Sequence, residues 1–231
     1  MIPYVLGSVT DDNIDGGSTE NEIKAGGDIK FALTSSLNLD LTINPDFSQV
    51  EVDDQIANLD RFELFYPEKR QFFLENADLF ANFGYDNIRP FFSRRIGLDI
   101  PIHAGVRVSG NLNENWRIGI MDMQTASDEE VGLPSQNFAA FSLQRKMFSR
   151  SSLGLLFVNK QSIDYPIESD EYYELYPEYN RNLGLEYNLA SQDNLWTGKA
   201  FIFKSISPDD AGNGFTQAFN LEYNSQKWNY G

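Results

Sequence analysis

Asn182-Leu183-Gly184-Leu185-Glu186-Tyr187-Asn188-Leu189 puts an apolar side chain at every second position and a polar or small residue between. Successive side chains of a β-strand point to opposite faces, so this stretch reads as a strand with one apolar and one polar face. Leu37, Leu39, Leu41 and Ile43 alternate in the same way with Asn38, Asp40, Thr42 and Asn44. Ile102, Ala104, Val106 and Val108 do so with His103, Gly105, Arg107 and Ser109. The pattern runs through 23–33 and 219–224 as well, and in blurred form through 116–125, 136–147, 151–161 and 195–206, where a bulge or two-sided burial would blur it. No segment carries a helical period.

The predicted strands are therefore about 3–9, 21–33, 37–45, 102–110, 116–125, 136–147, 151–161, 180–190, 195–206, 215–224 and one from 228. The joins between them alternate in length. Short ones fall at 34–36, 111–115, 148–150, 191–194 and 225–227, and long ones at 10–20, 46–101, 126–135, 162–179 and 207–214. An up-and-down meander gathers all short turns at one end and all long loops at the other, which is how outer-membrane barrels are built. The expected fold is all-β: an antiparallel meander over 1–231 forming part of such a barrel, with 46–101 as an insertion acting as plug or constriction.

Composition narrows the function. The 231 residues carry 34 acids against 18 Lys and Arg, a net charge of −16, which argues against nucleic-acid binding. At 41% hydrophobic and 14% aromatic the chain is too apolar for an acidic disordered segment. It has no cysteine, hence no disulfide, thiolate nucleophile or Cys-based zinc site. No apolar run approaches the roughly 18 residues of a membrane helix, so contact with a bilayer would be through strands or at the surface.

Charge and aromatics follow the same axis as the joins. The segments 10–22, 126–135, 162–179 and 207–214 hold 16 acids and no Lys or Arg. Trp116, Trp196 and Trp228 sit at or just after short turns, with Tyr187 and Tyr223 just before two of them. Such a belt suits a membrane interface, although the same rings could plug the bottom of a soluble barrel. Met1-Ile-Pro-Tyr4 lacks a basic region followed by an apolar core, and Trp228-Asn-Tyr-Gly231 reads as a strand cut partway. The expectation is a fragment of a longer protein of the bacterial outer membrane.

The insertion reads Arg61-Phe-Glu-Leu-Phe-Tyr-Pro-Glu-Lys-Arg-Gln-Phe-Phe-Leu-Glu-Asn76 and later Pro90-Phe-Phe-Ser-Arg-Arg-Ile-Gly97. Charges set between phenylalanines need partners if the rings are buried. Arg61, Glu63, Glu68, Lys69, Arg70, Glu75, Arg94 and Arg95 are thus expected to form ion pairs in a polar lumen, with His103 and Arg107 beside them on a strand.

These blocks also carry a resemblance. Leu41-Thr-Ile-Asn-Pro-Asp-Phe-Ser-Gln-Val-Glu51, the block 61–80 and Phe92-Ser-Arg-Arg-Ile-Gly97 resemble signature stretches of a bacterial outer-membrane β-barrel family catalogued as a domain of unknown function. Trp116-Arg-Ile-Gly119, Arg181-Asn-Leu-Gly184, Trp196-Thr-Gly-Lys-Ala200 and Lys227-Trp-Asn229 extend it. The resemblance implies a barrel that follows a domain similar to family-nine carbohydrate-binding modules, a link to glycan uptake, and no catalytic residues to carry over.

Asp11, Asn13, Asp15, Gly16 and Glu22 match the calcium-loop pattern at positions 1, 3, 5, 6 and 12. Position 8 is Ser18 and the flanks read as strands, so an acidic hairpin loop is the competing reading of this possible Ca2+ site. His103 could serve a barrel hydrolase together with a carboxylate, yet no nucleophile-elbow serine accompanies it. The neighbouring carboxylates Asp53 and Asp54, or Glu129 and Glu130, would point to opposite faces on a strand and make a poor glycosidase pair. Tyr172, Tyr173 and Tyr176 within the acidic stretch 168–178 could stack on a sugar or meet a partner protein, or form a solvated loop.

The expected function is passage or capture of a substrate, with a saccharide as one candidate, without covalent chemistry and with no cofactor required. The expected partners are the lipid bilayer or lipopolysaccharide, with a glycan or another outer-membrane protein. A soluble ligand-binding barrel or sandwich is the alternative, and a barrel hydrolase the third reading.

Overall fold

The computed structural model describes residues 1–12, 18–45, 65–98, 100–128, 132–165, 176–208, 214–225 and 229–230. Its strands are β1 (Ile2–Asp12), β2 (Ser18–Ala32), β3 (Leu37–Ile43), β4 (Ile102–Asn111), β5 (Trp116–Thr125), β6 (Ser135–Met147), β7 (Ser151–Ile163), β8 (Tyr179–Ala190), β9 (Trp196–Ile206), β10 (Phe215–Asn224) and β11 (Asn229–Tyr230). They form one sheet in chain order, and every neighbouring pair is antiparallel. This is the up-and-down meander that the alternation and the joins predict. The long connection between β3 and β4 holds α1 (Gln71–Leu74), α2 (Asp78–Ala81) and a 3-10 turn, Ser93–Arg95. Each is a single turn, too short to leave a helical period in the sequence.

Register assigns the two faces. Asp40 pairs with Arg107, Gly105 with Met123, Met121 with Ala140, Leu156 with Gly184 and Glu186 with Phe201, so these residues share one side of the sheet. The described part of the insertion lies on that side. Phe73, Leu79, Phe80, Phe83 and Ile96 form its apolar core with Met121, Met123, Leu156, Phe201 and Phe203. Glycines admit the rings. A Cβ on Gly119 would lie 2.6 Å from Phe80 Cζ, and one on Gly154 would lie 2.9 Å from the Phe83 ring.

The other side has the reverse character of a water-soluble sheet. Ile23 is 81% exposed and Phe219 79%, and Phe31, Ile43, Leu183, Leu185, Ile202 and Leu221 are also exposed. Arg107 and Glu186, on the covered side, are 2% and 3% exposed. Polar residues on the uncovered side collect near the long joins, where Asn137 donates to Asp122 at 3.1 Å and Arg181 to Asn159 at 3.0 Å. At the short-turn end of that side stand Trp116, Trp196, Tyr187 and Tyr223. The Trp196 and Tyr223 rings are 4.9 Å apart, and Arg145 lies 5.3 Å over the ring of Trp116.

Candidate functional site

Three polar clamps hold the insertion to the sheet. In the first, Glu75, at the end of α1, takes the Lys30 ammonium from β2 and the Asn38 amide from β3, the latter at 2.6 Å. The Lys30 bond holds the Glu75 carboxyl below the usual carboxylate range, with the Asn38 bond adding to it against partial burial. In the second, Asp78 at the start of α2 receives a two-pronged bond from Arg117 on β5, at 2.6 and 3.1 Å. Such fork-to-carboxylate pairing fixes orientation as well as distance.

The third clamp spans β8 and β9. Glu186 accepts the Gly84 backbone N–H at 2.6 Å and lies 3.1 Å from Lys199 Nζ. Lys199 also donates to the carbonyls of Asn82 and Gly84 at 3.1 and 2.9 Å. The backbone after α2 is thereby tied to an ion pair between a buried carboxylate and a half-buried ammonium, and the charges of both are satisfied. Between the first two clamps, Arg107 meets Asp40 at 3.1 Å, with the Phe72 ring 5.1 Å from its guanidinium carbon.

Arg70 organises the insertion itself. Its guanidinium donates to both oxygens of Glu68, at 2.9 and 2.8 Å, and to the carbonyls of Ile96 and Ser93, each at 2.6 Å. Burial pushes the Glu68 carboxyl up, but the bonds from Arg70 and Ser93 together with the Arg70 charge outweigh it and leave it below its ordinary value.

The structure thus brings Glu68, Arg70, Glu75 and Arg107 onto the covered side within ion pairs. Lys69 and Arg94 are half-buried on the same segment, and Arg95 is exposed there. His103 falls in a register shift between Ile102 and Ala104, which turns Ile102 into the core and leaves His103 exposed. Tyr176 is half-buried, its carbonyl accepting the Tyr165 hydroxyl at 2.8 Å. Arg61, Glu63, Asp53, Asp54, Glu129, Glu130, Tyr172, Tyr173, Asn13 and Asp15 lie outside the described residues, as do the side chains of Asp11 and Glu22. No group of three potential metal ligands occurs among the described residues.

Lys30, Asp40, Asp78, Arg117, Glu186 and Lys199 complete the clamps without having been singled out as sequence candidates. Asp40 and Glu186 do occupy the polar phase of predicted strands, so a search for charges in that phase would have found them.

Two of the cavities beside the insertion bear on the site. One of about 430 Å3 lies between the segment 89–96 and β6–β8 near the long joins. The other, about 740 Å3, lies toward the short turns and is lined by residues from α2 to Arg89 with Asn188 and Lys199. Arg89 borders both.

No curated protein and no solved structure matches this chain. A protein-family model described as a domain of unknown function (DUF5916) matches residues 1–126, which run from β1 through the insertion to the end of β5. By that match over more than half its length, the chain belongs to the DUF5916 family.

Proposed function

We propose that the sheet is part of an outer-membrane β-barrel, its uncovered face toward lipid and its covered face toward a lumen that the insertion narrows. The barrel passes or captures a substrate without covalent chemistry. The observation that carries this reading is the inversion of the two faces: large aliphatic and aromatic side chains stand exposed where buried ion pairs occupy the opposite side. In water such a face would cost about 25 cal/mol for each Å2 of apolar surface left exposed, whereas in hydrocarbon that cost disappears.

Several features support the same geometry. Strands β4 to β10 are 10 to 13 residues long, enough for a tilted strand to cross a bilayer core, which takes roughly 9–11 residues. Indoles and phenols at the short-turn end match an interfacial girdle, and the polar groups near the long joins mark the other limit of the apolar band. The acidic long joins suit divalent-ion bridging to lipopolysaccharide at an outer surface. A saccharide is one substrate class that a lumen of alternating charges and rings can accept.

Circular dichroism and size-exclusion chromatography with and without detergent micelles test the proposal. Strand signal in a discrete peak is expected only in micelles. A sharp monomer in plain buffer would remove the membrane assignment.

A further inference from the structure

Five cations on the covered face come with their own carboxylates: Lys30 with Glu75, Arg70 with Glu68, Arg107 with Asp40, Arg117 with Asp78 and Lys199 with Glu186. Lys160, in the cavity near the long joins, has none among the described residues. Arg89, Arg95 and Lys160 line that cavity, and no Asp or Glu does among the described residues. Among the described residues Arg89 has one anionic neighbour, the fully exposed Asp86 at 3.4 Å. Lys160, on the covered side of β7, is half-buried and has no ion pair among the described residues. The Phe138 ring lies 5.8 Å from its Nζ. A cation withdrawn from water without a counter-ion is unfavourable unless an anion joins it.

The remaining walls say what that anion should look like. Phe65 and Phe92 meet edge to face at 5.0 Å, with the Arg89 guanidinium 4.9 Å over the ring of Phe65. These rings offer flat apolar faces to a cyclic body, while Asn180 and Asn182 offer amide donors and acceptors for hydroxyls. We propose that this cavity binds a small organic anion, a carboxylate carried on a hydroxylated ring, with Lys160 as its counter-charge. The inference names a substrate class for the passage described above and rests on that reading for access from the lumen.

The test is calorimetric titration of the whole chain with sodium glucuronate and, separately, with glucose, its neutral twin. It is done in whichever medium keeps the chain monodisperse, micelles or plain buffer, so failure of the membrane assignment leaves the binding result readable. Glucuronate should bind about tenfold or more tightly than glucose, the contribution of one charge-assisted hydrogen bond. Lys160→Gln should remove that advantage and Lys160→Arg should keep it, while Lys204→Gln on the uncovered face should leave it unchanged. Equal affinities for the two sugars in the native chain, no glucuronate binding, or full glucuronate affinity in a folded Lys160→Gln would each overturn the proposal.

Discussion

Gly119 has no side chain, and the Phe80 ring fills the space that one would need. Adding bulk there forces a ring of the insertion away from the sheet, a kind of overpacking that costs about 1–3 kcal/mol. Gly119→Val should therefore lower the urea midpoint clearly, whereas Ile120→Val, one position on and facing the uncovered side, should lower it much less. Equal losses in the two variants would mean that the insertion does not bear on this strand. Alternation in the sequence names Gly119 as a small residue in the covered phase, but it does not say which ring fills the gap. That depends on a contact between residues 39 positions apart. Arg117 and Asp78 show the same limit, since each reads locally as a surface charge and only the fold joins them.

The insertion is the element in which charge decides more than propensity does. Its helical turns are four residues long and lack side-chain caps, so their position depends on contacts with the sheet. Phenylalanines interleaved with charges point to burial with paired ions, and the structure pairs Glu68, Arg70 and Glu75 on the covered side. The partners from the sheet, Lys30 and Asn38, are not readable from the insertion's own sequence. Glu68 and Glu75 are both held below their ordinary value, near 4.5. Their ionised forms stabilise the folded insertion fully above that unfolded value, and the contribution is lost as pH falls through the lower folded values. Hydrogen-exchange protection of the backbone over 70–84, corrected for the intrinsic rate at each pH, should consequently fall as pH drops below that ordinary value while protection in β6–β8 holds. If the insertion and the strands lose protection together on acidification, the two carboxylates do not act as its latch.

At the scale of the molecule, the meander is legible because period-two alternation and the order of join lengths are properties of the chain itself. Which face turns toward water is not, since alternation is the same whether the apolar phase meets a core or a bilayer. The insertion's choice of the polar phase settles the geometry of the two faces. In the proposed barrel that choice also sets the bore. Deleting 58–83 removes Phe72, Phe73, Leu79, Phe80 and Phe83 together with Glu75 and Asp78, and every strand remains. Single-channel currents in planar bilayers should grow several-fold, and an unchanged current would count against a constricting role.

The described residues form eleven strands, an odd number. In a strict up-and-down order, odd-numbered strands all run the same way, so β1 and β11 are parallel to each other although each is antiparallel to its own neighbour. Curling this sheet until its two rims met would create a single parallel seam in an otherwise antiparallel wall. A cylinder with no such seam requires an even total, and so an odd number of strands beyond these eleven. In such a cylinder the new neighbours of β1 and of β11 would both run in the direction of the even-numbered strands.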